Sequence, residues 1–522
     1  MHRRAVAAAV PSAAAPAVRN VRSLSQYKFG QKPLTEAWPA TVRPTPPPGA
    51  ATTSVTAGSG NVKVTLFPNG TRVITQQRGG PVVSIGAYIL AGPVYDPVGC
   101  PGLHHLMHLA LTTSNYNSSL FQLDRSIRST GAAFSHFEKD KHFIGIRLDA
   151  RLDMWKSNTS GKTSVAKQFD LSLVQDTIFT AVSAPRFHEP DVERFRDTVD
   201  NNLKELRWQH PTQYAVQQLE TVAFYKEPLG NPRHVPECSN GRITSRAMLD
   251  QYAKYVTPDR VVIAGVNVEH SELVAEYESA PYPHSSGSPH HAAFANGEGK
   301  LSFDVSKEQS QYTGGELHEH EDRPKEMCTK PDMDTETIVA VGYLAFGRNK
   351  ACLKRYAATL VFQQLFNIVI QDGTRYEQDV VLDGVRSFYQ PYQYAGLLGF
   401  TVVADPETVV QLVKSGIKTI NSVKFDNTAA VEVAKHRAAV ELISQSWDTV
   451  RDACDYLGTS LPFDAKATNS TQYISPEEVL AAIRSVTPDE LQQVKECMAG
   501  SKPTLFGHGE MMAFPSLRQL GA

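Results

Sequence analysis

The sequence has no apolar run approaching the roughly 18 residues that a bilayer-spanning helix requires. Its most apolar helical stretch, Ala357 to Ile370, is interrupted by Gln363, Gln364 and Asn367. Work at a membrane would therefore depend on partners that are themselves embedded. The sequence also lacks any Cys-x-x-Cys pair. Its six cysteines (Cys100, Cys238, Cys328, Cys352, Cys454 and Cys497) are scattered, too sparse for a disulfide framework and without metal-site spacing. They read as free thiols of a reducing compartment. Excess charge is nearly absent: a formal net charge of -2 gives no pull towards nucleic acid.

Acidic residues are missing from the start of the chain, where the first is Glu36. Before it, Arg3, Arg4, Arg19, Arg22, Lys28 and Lys32 stand among Ala, Val and Ser, with no continuous apolar core of a secretory signal. That composition is a mitochondrial transit peptide's, expected over residues 1–35. A Pro-rich segment, 36–60, follows and is expected to be extended and outside the core.

What is present is an ordinary globular composition, 41% hydrophobic and 20% charged, in a chain of 522 residues. Two domains of about 200–250 residues are the natural division. Val62 to Phe67 alternates as a strand, Pro68-Asn69-Gly70 turns it, and Thr71 to Gln76 returns as its hairpin partner. Val82 to Leu90 alternates again, as does Phe143 to Leu148. Helices are expected over Gln168 to Val182, Asp191 to Trp208, Thr212 to Phe224 and Ser245 to Tyr255, the last feeding a strand from Arg260 to Ala264.

The second half replays this order. Ile338 to Phe346 resembles Val82 to Leu90 in pattern, each with a central glycine (Gly342, Gly86) and a tyrosine close by (Tyr343, Tyr88). Helix Pro488 to Met498 leads into strand Thr504 to Gly507. A repeat of this length implies a duplicated domain, 61–280 and 310–522, joined by a Ser/Gly/Pro/His-rich linker, 281–309. His284, His290, His291, His318 and His320 lack fixed geometry and are taken as solvated linker residues rather than metal ligands.

The segment Gly102-Leu103-His104-His105-Leu106-Met107-His108-Leu109-Ala110 carries the most chemical information. His104 and His108 have the i, i+4 spacing of the inverted zinc motif His-x-x-Glu-His, which places both rings on one helical face. The glutamate between them would deprotonate metal-bound water. Met107 stands there instead, and a thioether accepts no such proton.

The chain as a whole resembles the processing-peptidase branch of the pitrilysin/insulinase metallopeptidases, on its alpha and second-core side. The resemblance covers most of Asn61 to Leu520. It is carried by Leu66-Phe67-Pro68-Asn69-Gly70, the helix Gly102 to Ala110, Tyr312-Thr313-Gly314-Gly315-Glu316, Ala395-Gly396-Leu397-Leu398-Gly399-Phe400 and Ser501-Lys502-Pro503-Thr504-Leu505. It implies an α+β fold: two homologous α/β sandwich domains, each a mixed, mainly antiparallel sheet covered by helices. It also implies a further zinc-ligating glutamate on the helix Asp191 to Trp208. That position falls near Asn201 or Asn202, with Glu205 one turn later and Glu193 two turns earlier. The expected site is therefore vestigial: His104, Met107 and His108 without catalytic role, no metal and no cofactor.

The function that the resemblance implies is a non-catalytic structural core subunit of mitochondrial respiratory complex III (ubiquinol–cytochrome c reductase), peripheral on the matrix side of the inner membrane. Its partners would be a beta-type core subunit, cytochrome b and cytochrome c1. The alternative is the non-catalytic alpha subunit of a mitochondrial processing peptidase, binding presequence peptides. Such alpha subunits carry a glycine-rich presequence loop, whereas the matching region here, Gln371 to Gln393, holds only Gly373 and Gly384 among bulky residues. A self-sufficient peptidase using a displaced glutamate such as Glu138 is the remaining reading, and no such activity is expected.

Overall fold

A computed structural model describes residues 53–56, 62–67, 70–115, 118–151, 174–183, 185–279, 310–321, 328, 335–371, 384–461 and 473–520. The transit-peptide and linker expectations lie outside them. The first half forms a seven-stranded sheet from β1 (Thr53–Thr56), β2 (Val62–Leu66), β3 (Arg72–Gln76), β4 (Val82–Ile89), β5 (Ala133–Phe137), β6 (Ile144–Arg151) and β7 (Val261–Val266). Their order is β1-β2-β3-β7-β4-β6-β5. The chain joins this sheet earlier than the sequence suggests: Thr53–Thr56, inside the Pro-rich segment, pairs with β2.

The second half forms a five-stranded sheet from β8 (Gly315–His320), β9 (Thr337–Phe346), β10 (Val385–Pro391), β11 (Ala395–Ala404) and β12 (Thr504–Gly509), ordered β10-β11-β9-β12-β8. Reversed, this order superimposes on β3-β7-β4-β6-β5 strand for strand. In each sheet one pair is parallel, β3 with β7 and β8 with β12, and the other pairs are antiparallel. The mixed, duplicated α/β architecture is thus present in the strand topology itself. His318 and His320, expected in a solvated linker, belong to strand β8. Their alternation with Leu317 and Glu319 on an exposed edge strand gives no apolar signal of period two, which is why the strand was not legible.

The helices are α1 (Leu103–Leu111), α2 (Leu120–Thr130), α3 (Glu189–Gln209), α4 (Pro211–Ala223), α5 (Ser245–Tyr255), α6 (His270–Ser279), α7 (Leu353–Gln371), α8 (Pro406–Ser422), α9 (Thr428–Ser446), α10 (Val450–Ser460), α11 (Pro476–Ser485) and α12 (Pro488–Ala499). Of the helix expected over Gln168 to Val182, the residues from 174 onward are described and are helical. Its described part is a π turn, Gln175–Phe179, running into one helical turn, Thr180–Ser183.

Two helices cross between the halves. α4 packs on β9, β11 and β12 of the second sheet, and α10 packs on β4 and β7 of the first. Between them lies a shared core containing Tyr88, Leu219, Ala223, Val262, Ala340, Leu397, Leu457 and Phe506. Glycines make these approaches possible. A Cβ at Gly342 would stand 2.9 Å from Leu219 Cδ2 of α4, and one at Gly458 of α10 would stand 2.0 Å from Tyr88 Cδ2. Each half also has its own core, one on the other face of each sheet.

Candidate functional site

Helix α1 is buried at every position, and Met107 is fully enclosed in the first core. Its N-terminus has no side-chain cap of its own. The carboxylate of Asp96 serves instead, accepting from the Gly102 N–H at 2.7 Å and the His104 N–H at 2.9 Å. A negative charge here satisfies orphan donors and opposes the helix dipole. Gly102 is required twice over: φ is 82°, and a Cβ would meet Val235 Cα at 2.6 Å.

Asp96 also receives the His104 ring, Nδ1 to Oδ2 at 2.8 Å. A carboxylate only accepts at neutral pH, so Nδ1 carries the proton. His108 turns elsewhere and donates from Nε2 to the Gly145 carbonyl at 2.7 Å. Burial, with His136 adding to it, pushes the His108 pKa down to about 3, so the ring is neutral. The two imidazoles of the motif are held by Asp96 and by β6.

On α3, Glu193 and Glu205 are exposed, Glu193 pairing with Arg196, Asn201 is exposed and Asn202 is half-buried. Among the described residues one set of three metal donors converges, and it contains neither His104 nor His108. It is His105, Glu138 and His234, whose ligand atoms all lie within 4.8 Å of one another. His105 is the residue after the first motif histidine. Glu138 follows β5, and His234 lies in the loop between α4 and α5.

These groups face a cavity of about 1280 Å³ between the halves, walled by His104, His105, His136 and His234 on one side and by Arg386, Phe388 and Tyr389 of β10 on the other. His105 is 2% exposed, and neither of its ring nitrogens has a hydrogen-bond partner. Its Nε2 lies 3.6 Å from Glu138 Oε1, and its ring meets that of His234 edge to face at 4.9 Å. Burial and the neighbouring His105 bring the His234 pKa down to about 4. Desolvation works against a charged Glu138, yet His105, His108 and His234 hold its carboxyl well below the ordinary range.

Arg233 ties the pieces together. It donates to the backbone carbonyls of Glu138 and Lys139 at 3.3 and 2.9 Å and pairs with Glu220 of α4 at 2.9 Å. Glu220 is also 3.0 Å from Lys141, and both side chains are almost wholly buried. Burial alone would raise the Glu220 pKa, but Arg233 and Lys141 draw it down to about 2. For Lys141 burial prevails over the pairing and lowers its pKa to about 8.

Residues 242–440 match the family model described as the Peptidase M16 inactive domain. Over those residues the chain is similar to the M16 metallopeptidases. Its relatives include the mitochondrial ubiquinol-cytochrome-c reductase complex core protein 2 of Euglena gracilis, 25% identical over 88% of this chain and 89% of that protein. Mitochondrial-processing peptidase subunit alpha-2 of Dictyostelium discoideum is 23% identical over 88% and 94%. Mitochondrial cytochrome b-c1 complex subunit 2 of Rattus norvegicus is 22% identical over 88% and 92%. This M16 homologue is a non-catalytic one, matching the inactive-domain model and chains of the core-protein-2 and alpha-subunit kinds.

Proposed function

We propose that the chain is a structural core subunit of mitochondrial complex III, of the second-core type, peripheral on the matrix side of the inner membrane. His104, Met107 and His108 are in this reading vestigial positions without catalytic role, and the domain limits 61–280 and 310–522 are those of the duplicated ancestor. The observation that carries the reading is the replacement of the catalytic constellation by packing: Met107 is enclosed in the core, and the two motif imidazoles are hydrogen-bonded to Asp96 and Gly145. A chain so built contributes by burying surface against other subunits, and permanent interfaces of that kind bury about 2,000–5,000 Å². Among the described residues no helix is long and apolar enough to cross a membrane, which suits attachment through membrane-embedded partners.

The processing-peptidase alpha reading keeps support from relatives of similar identity and coverage. Against it stands the region Gln371 to Gln393. Residues 372–383 lie outside the described part, but Val385–Pro391 is strand β10, paired along its length with β11. Such a paired strand is not the backbone-rich mobile loop that presequence handling would use. Purifying the native complex that contains this chain and recording its visible spectrum separates the two. Haem b and c bands are expected, with a beta-type chain, cytochrome b and cytochrome c1 present. A haem-free heterodimer that cleaves precursors would overturn the reading.

A further inference from the structure

The trio beside the abandoned motif has the makings of a site of its own. Two imidazoles and one carboxylate are a donor set suited to zinc or a similar divalent transition ion, in which three protein ligands leave a fourth position for water. Hard ions such as calcium or magnesium prefer all-oxygen cages. Around a tetrahedral zinc at about 2.0–2.1 Å from each ligand, donor atoms stand roughly 3.3 Å apart. His105 Nε2 and Glu138 Oε1 are already 3.6 Å apart, and no pair in the trio exceeds 4.8 Å. The contraction needed is at most about 1.5 Å, within the reach of side-chain rotation.

A second observation also points to a ligand. His105 Nδ1 and His234 Nδ1 are buried without hydrogen-bond partners, and His105 Nε2 has only the Glu138 carboxylate, at 3.6 Å. Unpaired buried polar atoms are costly and are seldom retained without a partner. The supporting frame is present too. Arg233 neighbours His234 in the chain, donates to the Glu138 carbonyl, and is anchored by the buried Glu220. It fixes two of the three donors to one another, as outer-shell groups do around metal ligands.

We propose that His105, Glu138 and His234 form a zinc-type metal site on the wall of the central cavity, one residue along the helix from the motif that no longer holds metal. This departs from the expectation, made from the sequence, that the chain takes no metal. It concerns binding rather than hydrolysis, because Met107 remains where the base would stand. It is independent of which mitochondrial assembly the chain joins.

The test uses the full chain, stripped with a chelator and titrated with cobalt(II), then zinc. One equivalent of cobalt should give the visible d–d absorption of a tetrahedral nitrogen/oxygen site, and zinc should displace it. Zinc should also raise the melting temperature, since it binds the native state. Glu138→Gln, at a position 43% exposed, should weaken uptake by more than the roughly 10–100-fold that follows loss of an outer-shell partner. His105→Ala and His234→Ala should abolish both signals. His108→Gln, which keeps an N–H for Gly145, should retain them. A folded wild-type chain that takes up no stoichiometric metal overturns the proposal. So does uptake that survives loss of His105 and His234 together, or that disappears in His108→Gln.

Discussion

Glu220 sits between Lys141 and Arg233; it and Lys141 are almost wholly buried, and the Arg233 side chain is 11% exposed. Removing the carboxylate leaves two buried cations facing each other, and breaking such a pair costs about 3–5 kcal/mol. Glu220→Gln should therefore lower the urea midpoint by that equivalent. The same group gives the fold an acid limit. Its folded pKa of about 2 lies below the ordinary 4.5, so between those values the unfolded chain binds the proton and the folded chain does not. Stability rises with pH across that window and is lost as pH falls from 4.5 to 2. Urea titrations at stepped pH should show a steeper acid loss in the wild type than in Glu220→Gln. At this scale the sequence revealed the motif histidines and the missing base, because these depend on local spacing. The convergence of His105, Glu138 and His234 was not legible. The three come from a helix, a strand end and a loop, and only tertiary folding brings them together. One partial signal existed: His136 and Glu138 are two residues apart, which puts both on one face of an extended chain.

The exchanged helices are the feature of the fold most sensitive to small changes. Gly458 of α10 lies against the buried ring of Tyr88, whose hydroxyl donates to Asp455 at 2.6 Å. Asp455 also pairs with Arg147 at 2.6 Å, so α10 is held to the first sheet by packing and by charge. Gly458→Ala places a methyl where the ring is and should destabilise the protein by about 1–3 kcal/mol. Thermal melts of that variant should fall clearly, whereas an alanine at exposed Gly241, with open space around its Cβ, should change little. Strands β2, β3, β4, β6, β7, β9 and β12 and helices α3, α4, α5 and α12 were visible as periodicity, whereas β10, β11 and helices α8 to α11 were not read; the Gly86/Tyr88 and Gly342/Tyr343 pairs marked the duplication. Their reason was not visible. Gly342 makes room for Leu219, a residue of the other half, and no local pattern reports which sheet a helix will cover. Strand β8 escaped for a related reason: its exposed face is polar, and its place is fixed by pairing with β12.

Across the whole molecule, the crossing of α4 and α10 makes each half incomplete without the other. The core they share contains residues of both sheets, so neither sheet keeps that face covered if the halves part. Denaturation followed by fluorophores placed separately in the first and second halves should give coincident transitions. Residues 61–280 expressed alone should fail to give a cooperative melt, because α4 would lack the sheet on which it packs. This shared interior also lines the central cavity, where His104, His105, His136 and His234 face β10. The scaffold of a metallopeptidase homologue persists here without its chemistry. The most direct measurement is an assay of the purified full chain, loaded with zinc and without any partner, against a presequence peptide. No cleavage above the peptide's own background is expected, with or without chelator. Turnover by the chain alone that a chelator abolishes would contradict it.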